Sequence, residues 1–256
     1  MRFLCLHGLG SNSDILEAQL APIRAHLGPE HEFLYVDGFI ECEPAPGMDG
    51  VFPPPYYGYF STPTRDQLLA ACEFVEQVVE EEGPFDGVVG YSQGAGLVAT
   101  LLLRRKRMAA PDLFKLAVFG SLPDLFKPGK RYYVFFDPRT GESGVKEDFS
   151  SEADQTETAV VKTMIDGQWI ARLPPGDAFA GVFSLSDGQP RISIPTVHIL
   201  GERDPFEPQS RDLAGLCQDA VVVPFEGGHE LSRNNVFSKK AGQAISAAIF
   251  RVLFGC

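Results

Sequence analysis

The sequence is poor in cysteine, in basic residues and in long apolar runs, and each shortage excludes a class of protein. Its five cysteines are an odd number and are scattered, with no CxxC pair, which argues against a disulfide framework or a zinc site. The apolar start at residues 3–6 is too short for a signal peptide, and no apolar stretch reaches membrane length. We therefore expect a cytoplasmic protein without a membrane span.

The shortage of basic residues bears on partners. Asp and Glu number 34 against 22 Lys and Arg, which gives a formal net charge of −12. An acidic protein repels phosphate backbones, so nucleic acid is excluded as a partner. The one basic run, at residues 104–107, is interpreted as the end of a helix, where cations stabilise the helix dipole.

What the chain does contain is an alternation of short apolar runs with helical patterns. The apolar runs lie at residues 3–6, 33–36, 87–90, 116–119, 197–200 and 220–224. The helical patterns lie at residues 15–27, 65–82, 94–106, 209–217 and 236–253. Alternation of this kind predicts an α/β protein with a mostly parallel sheet flanked by helices. The length of 256 residues favours one domain over residues 1–256.

Two segments interrupt this rhythm. Residues 41–61 form a proline- and aromatic-rich loop. Residues 123–195 depart from the alternation for about seventy residues, with a helical pattern at about residues 155–165. Long interruptions are often lids or binding loops, so we predict a lid-like or substrate-binding insertion here. A solvated surface insertion is the alternative.

The strongest chemical signal is the motif Gly90-Tyr91-Ser92-Gln93-Gly94, which follows an apolar run and precedes a helical pattern. That context is typical of a nucleophile elbow, in which a serine hydroxyl stands exposed above the sheet. The flanking glycines lack the Cβ atoms that a sharp turn would bring into collision. Ser92 is therefore the predicted nucleophile.

A serine nucleophile needs a base to accept its proton. Of the five histidines, His229 follows the last predicted strand in a glycine-rich loop, whereas His198 lies in an apolar run and is interpreted as a hydrogen-bonded core residue. Asp204 follows the preceding strand, and the order serine, aspartate, histidine is that of α/β-hydrolases. We predict His229 as the base and Asp204 as its carboxylate partner, with Glu202 and Glu207 as competing carboxylates.

The oxyanion of acyl transfer usually binds two main-chain amides, one after the nucleophile and one in the loop after an early strand. Here these are the amides of Gln93 and Leu9. His7, beside Leu9 in a glycine-rich stretch, is interpreted as a buttress of that loop. The stretch lacks the spacing and the lysine of a phosphate-binding loop.

Together these stretches resemble the fungal and animal family of serine hydrolases (FSH), a branch of the α/β-hydrolases. The matching stretches are residues 4–9, 85–94, 194–204 and 227–229. The resemblance implies esterase or thioesterase activity, and some fungal members resemble thioesterases that release polyketide chains from synthases in secondary metabolism. The partners it implies are a small-molecule or carrier-tethered acyl substrate and a polyketide synthase. The two-step acyl transfer needs no cofactor and no metal.

Aromatic residues are concentrated in the two segments that the resemblance covers least. The predicted substrate-pocket residues are Phe52, Tyr56, Tyr57, Tyr59, Trp169 and Phe179. These side chains would suit an apolar acyl group, and hydrophobic packing is the alternative. The predicted function is therefore hydrolysis of an apolar acyl or polyketide ester or thioester. A general short-chain carboxylesterase and a catalytically silent binding protein on the same fold stay as alternatives.

Overall fold

The computed structural model describes residues 1–45, 48, 50–61, 65–122, 191–232 and 234–255, and the backbone of four strands between residues 131 and 172. The strands are β1 (Arg2–Leu6), β2 (Glu32–Val36), β3 (Ile40–Glu41), β4 (Tyr57–Gly58), β5 (Gly87–Tyr91), β6 (Leu116–Gly120), β7 (Arg131–Phe136), β8 (Ser143–Asp148), β9 (Val161–Ile165), β10 (Gln168–Arg172), β11 (Thr196–Gly201) and β12 (Ala220–Phe225). The helices are α1 (Ser13–Arg24), α2 (Arg65–Glu82), α3 (Gln93–Arg107), α4 (Glu207–Gly215) and α5 (Asn235–Phe254).

A six-stranded sheet in the order β12-β11-β6-β5-β1-β2 forms the centre of the molecule, and all five of its pairings are parallel. Each predicted apolar run falls on one of these strands, and each of the five helical patterns outside the insertion overlaps an observed helix. The α/β prediction is therefore confirmed. Because parallel strands expose their carboxyl ends at one edge, the loops after β1, β5, β11 and β12 all open on that edge.

Alternating residues along the strands belong to two separate hydrophobic cores, one on each face of the sheet. Leu4 and Leu6 pack with residues of α2, α3 and α4 on one face, whereas Phe3 and Cys5 pack with residues of α1 and α5 on the other. Successive side chains of a strand point to opposite faces of the sheet. When both faces are covered, the sequence of each strand is therefore a continuous apolar run. No helix in the described part of the chain is long and apolar enough to cross a membrane.

The segment between Leu122 and Arg191 contributes a second, four-stranded sheet in the order β8-β7-β10-β9, paired antiparallel throughout. The prediction of a helix at about residues 155–165 is wrong for its second half, where β9 lies. The sequence Val161-Lys-Thr-Met-Ile165 carries β-branched residues at every second position, which favours a strand. Residues 155–160 lie outside the described residues.

Candidate active site

Ser92 has a backbone conformation that residues other than glycine seldom adopt. β5 ends at Tyr91 and α3 begins at Gln93, and Ser92 between them has φ 51° and ψ −116°. Such a conformation costs about 1–3 kcal/mol, so the surrounding structure must hold it in place. Part of that support is the hydrogen bond from the Ser92 amide to the carbonyl oxygen of Gly120, 2.8 Å long, at the end of β6.

The two glycines of the motif allow main chains to touch around this turn. A Cβ atom on Gly94 would lie 2.2 Å from the carbonyl oxygen of Leu6, and one on Gly90 would lie 2.6 Å from the carbonyl oxygen of Gly94. The Gly94 amide also donates to the carbonyl oxygen of His7 at 3.1 Å. The start of α3 is therefore packed directly on the backbone at the end of β1.

Ser92, His229 and Asp204 form one line of hydrogen bonds. Nε2 of His229 lies 2.9 Å from Oγ of Ser92, and Nδ1 of the same ring lies 2.9 Å from Oδ2 of Asp204. With its hydrogen on Nδ1, the imidazole donates to the carboxylate and leaves Nε2 free to accept the proton of the serine. The three predicted residues thus meet at the carboxyl edge of the sheet.

Asp204 is buried and yet held as a carboxylate. Its side chain is fully shielded from solvent, and its Oδ1 accepts a hydrogen bond from the Phe206 amide at 2.9 Å. Burial alone would raise the pKa of Asp204, but the hydrogen bonds from His229 and Phe206 outweigh it, so the pKa lies below its ordinary value. A permanent negative charge therefore faces Nδ1 of His229 at neutral pH.

Of the three carboxylates considered from the sequence, Asp204 is the one that contacts the imidazole. Glu202 is exposed at the surface. Glu207 lies in the first turn of α4, where it pairs with Arg211 four residues later. The geometry therefore favours Asp204 over both competitors.

The loops that carry Asp204 and His229 are joined through their main chains. The Arg203 amide donates to the carbonyl oxygen of Gly227 at 2.8 Å. A Cβ atom on Gly201 would lie only 2.0 Å from the carbonyl oxygen of Gly228. Since both contacts involve backbone atoms, a shift in either loop displaces the other, and this coupling keeps Asp204 and His229 together.

The amides predicted to bind an oxyanion belong to Gln93, the residue after the serine, and to Leu9, in the loop after β1. Gln93 directly follows Ser92, and a Cβ atom on Gly8 would lie 3.1 Å from Cβ of Ser92, which places the loop after β1 against the nucleophile. Within the described ranges, neither amide donates a hydrogen bond. Both N–H groups are therefore unused by the described part of the chain.

His7 fixes the direction of the Leu9 amide. The Gly38 amide donates to Nε2 of His7 at 2.9 Å, so the ring carries its hydrogen on Nδ1, which donates to the carbonyl oxygen of Gly8 at 2.6 Å. The C=O and N–H of a trans peptide point in opposite directions, so holding the Gly8 carbonyl also holds the Leu9 N–H. Burial lowers the pKa of His7 and keeps the neutral ring that this arrangement needs.

The side chain of Gln93 has a bracing role that sequence reasoning missed. Its Oε1 accepts from the Tyr59 amide and its Nε2 donates to the carbonyl oxygen of Phe60, both at 2.7 Å. The amide group thus ties the chain after β4 to the first turn of α3. A polar residue inside an otherwise apolar helix start was the available signal, but nothing in the sequence names its partners.

Tyr59 is a core residue, and the prediction that it lines a substrate pocket is wrong. Its side chain is fully buried, donates to the carbonyl oxygen of Val36 at 2.9 Å and accepts from the His7 amide at 3.1 Å. Two satisfied hydrogen bonds allow the phenol to lie inside the core. The alternative interpretation, that these aromatic residues serve hydrophobic packing, applies to Tyr59.

The other predicted pocket residues differ from one another in burial. Tyr56 is buried and its hydroxyl donates to the carbonyl oxygen of Phe52 at 2.6 Å. Phe52 and Tyr57 are half-buried. Trp169 lies in β10, opposite Phe136 and Met164 in the backbone register. The side chain of Trp169 and the whole of Phe179 lie outside the described residues.

Comparison with known proteins identifies the family. The sequence profile of the family described as serine hydrolase (FSH1) matches residues 1–241. Esterase alnB of Emericella nidulans is 28% identical, over 97% of this chain and 96% of that protein. Hydrolase phiM of Talaromyces stipitatus is 33% identical, over 99% of this chain and 90% of that protein.

Solved structures bear on the fold. The monoacylglycerol lipase of Paleococcus ferrophilus has a TM-score of 0.54 at 16% identity, over 98% of this chain and 94% of that one. The likeness confirms the α/β-hydrolase fold and, at that identity, carries nothing about substrate. The family resemblance drawn from the sequence is confirmed by the profile match, and the protein belongs to the FSH1 family of serine hydrolases.

Proposed function

We propose that the protein hydrolyses an ester or thioester of an apolar acyl or polyketide chain through an acyl-enzyme intermediate. The observation that carries this proposal is the line of hydrogen bonds from Ser92 through His229 to Asp204, with both spacings at 2.9 Å. Ser92 is the nucleophile, His229 the general base and acid, and Asp204 the residue that orients the imidazole.

In the first half of the reaction, Oγ of Ser92 attacks the carbonyl carbon while Nε2 of His229 takes its proton. The carbonyl electrons move onto oxygen, where the Leu9 and Gln93 amides and the positive end of α3 stabilise the negative charge. Collapse of this intermediate expels the leaving oxygen or sulfur, which receives the proton from His229. Water then repeats the sequence on the acyl-enzyme and restores Ser92.

The preference for an apolar acyl group is supported by the side chains around the nucleophile. Leu9 is 46% exposed, although it directly follows the glycine that contacts Ser92. The half-buried ring of Phe206 meets the imidazole of His229 edge-on, with centroids 5.5 Å apart. Apolar surface beside a nucleophile gains free energy when it is covered by a substrate alkyl chain.

A carrier-tethered or synthase-bound substrate is the partner we propose for this site. Leu122, the last described residue before the insertion at residues 123–195, follows the carboxyl end of β6. The insertion therefore starts from the sheet edge that carries Ser92, which supports a role in substrate binding. A carrier would present a neutral acyl group to an enzyme whose net charge of −12 repels free anions.

The chemistry is tested with a fluorophosphonate probe, which reacts with activated serines. The expected result is one adduct on Ser92 by peptide mass spectrometry and none in Ser92→Ala. Ser232→Ala, which alters a half-buried serine in the same loop as His229, is the matched control and should be labelled at the wild-type rate. A wild-type protein that takes up no probe would contradict the proposed serine chemistry and favour the silent binding protein.

The substrate class is tested with acyl chains of increasing length, as p-nitrophenyl esters and as thioesters. Each methylene that becomes buried contributes about 0.8 kcal/mol at most, so kcat/KM should rise up to about fourfold per added CH₂ until the site is full. A steady fall from acetyl to octanoyl would leave the short-chain carboxylesterase. The ratio of thioester to ester turnover at equal chain length identifies the leaving group.

A further inference from the structure

Tyr91 stands one residue before the nucleophile, yet its side chain reaches the loop of the base. It is the last residue of β5 and only 6% exposed. Its hydroxyl donates a hydrogen bond to the main-chain carbonyl oxygen of His229. The centroids of the Tyr91 and His229 rings lie 5.8 Å apart, and the two ring planes are inclined at 43°. The turn directly after β5 thus supplies the serine, and the last residue of the strand contacts the histidine.

Two glycines leave space for the Tyr91 ring. A Cβ atom on Gly120, on the adjacent strand β6, would lie 2.8 Å from Cδ2 of the ring. A Cβ atom on Gly8, on the opposite side of β5, would lie 3.6 Å from Cδ1. The ring is therefore confined between the ends of two strands, and its hydroxyl is held at one position.

The hydroxyl contacts the main chain of His229 itself, directly after the two glycines that join this loop to the Asp204 loop. His229 follows Gly227 and Gly228, which restrict the backbone less than other residues do. The side chain of His229 is one-third exposed. Its ring must meet Oγ of Ser92 on one side and Asp204 on the other, and both contacts depend on where the main chain of His229 lies. The Tyr91 hydroxyl bonds that main chain directly.

We propose that Tyr91 is a positioning residue, whose hydroxyl sets the base His229 in register with the nucleophile Ser92. The inference rests on the proposed function, because it assigns His229 the proton transfers of acyl transfer. Tyr91 itself exchanges no proton and forms no bond to substrate. Burial raises the pKa of its phenol, which keeps the hydroxyl a donor throughout the working pH range.

The test is Tyr91→Phe, which removes one oxygen and keeps the ring between the two glycines. Tyr35→Phe is the matched control, since it removes a phenol oxygen from β2 that accepts a hydrogen bond from Arg24, away from the site. We expect kcat of Tyr91→Phe to fall about tenfold to a hundredfold, as a small misplacement of a reacting group does, with KM within twofold of wild type. The rate of fluorophosphonate labelling should fall in parallel.

Gly120→Ala is the second variant and keeps the hydroxyl. Its methyl group would collide with the Tyr91 ring and move the hydroxyl away from the His229 carbonyl. We expect the same pattern of lowered kcat and unchanged KM, with both variants assayed at a temperature where circular dichroism shows them folded. Because the Gly120 carbonyl also accepts from the Ser92 amide, a loss in Gly120→Ala supports the inference only together with the same loss in Tyr91→Phe.

The inference is overturned if Tyr91→Phe, folded, retains kcat and labelling rate within twofold of wild type, or loses no more than Tyr35→Phe. A rise in KM with unchanged kcat would also overturn it, because the hydroxyl would then serve substrate binding. Failure of the proposed function looks different, since the wild-type protein would then take up no probe. The wild-type labelling reaction is therefore run alongside every variant.

Discussion

Ser92 and His229, the proposed nucleophile and base, are held in place by different kinds of contact. Ser92 is fixed by its own neighbours and by main-chain contacts to β1 and β6, where atoms cannot move aside. The loop of His229 also has main-chain contacts, but the ring and the carbonyl of His229 are held by side chains 25, 137 and 138 positions away in the sequence. The nucleophile geometry therefore belongs to the fold, whereas the base geometry depends on a few individual groups. Substitutions on the two sides should fail in different ways.

The largest effect should come from Asp204→Asn, on the base side. The amide can present its NH₂ to the imidazole and favour the wrong tautomer, so kcat should fall by about four orders of magnitude while the fold persists. Steady-state kinetics on an activated ester measures the loss. Glu202→Gln, which changes an exposed carboxylate in the same loop, is the control. Near-normal activity of Asp204→Asn would show that another group orients His229.

His7→Phe tests whether the Leu9 amide is positioned by main-chain packing or by the hydrogen bonds of the His7 side chain. An aromatic ring of larger volume is kept, but the hydrogen bonds to Gly38 and Gly8 are lost. The loss of one oxyanion donor costs about 10²–10³ in kcat, so a donor that has only lost its support should cost up to about 10². His26→Phe, which changes a histidine bonded to Asn235 outside the site, should keep kcat. Unchanged kcat in His7→Phe would mean that the Leu9 amide is positioned without it.

Gly94→Ala and Gly228→Ala compare the two sides directly. The new Cβ at position 94 would meet a main-chain oxygen at 2.2 Å, whereas the one at position 228 would meet the end of the flexible Glu230 side chain at 3.1 Å. Gly94→Ala should therefore lower the free energy of unfolding by about 1–3 kcal/mol or more, and Gly228→Ala should leave it nearly unchanged. Urea denaturation measures both. Equal losses would remove the distinction between a fold-held nucleophile and a contact-held base.

The smallest effect concerns His198, a second histidine at the sheet that serves packing. Nε2 lies 3.0 Å from Oγ1 of Thr196, the ring stacks on Phe119, and burial lowers the pKa of His198 to about 3. The unfolded chain takes up a proton below about pH 6.5 and the folded one does not, so stability falls as pH drops from about 6.5 towards 3.

This contribution reaches at most about 1.4 kcal/mol per pH unit. His198→Phe should remove it, because phenylalanine does not titrate. The hydroxyl of Thr196 keeps its hydrogen bond to the Asp219 carbonyl in that variant. Denaturant midpoints at pH 7 and pH 5 should lie closer together in His198→Phe than in wild type. Identical pH dependence would show that His198 does not titrate on unfolding in this range.

The fold and the three hydrogen-bonded residues could be predicted because they depend on local patterns and on chain order. Continuous apolar runs identify buried parallel strands, and the glycines beside Ser92 indicate a sharp turn. The partners of Gln93 and Tyr91 could not be predicted, because they are main-chain oxygens and amides of residues brought close only by the fold. The pocket prediction for Tyr59 was wrong for a related reason, since composition does not distinguish a buried tyrosine from one that lines a cleft.

The positive φ of Ser92 has a consequence for laboratory evolution of this protein. A glycine at that position would relieve about 1–3 kcal/mol of backbone strain, and the turn would keep its shape. A library screened only for thermal tolerance would therefore enrich chains that have lost the hydroxyl. Directed evolution of thermal stability therefore has to select for turnover in every round, because otherwise the serine at position 92 will be lost.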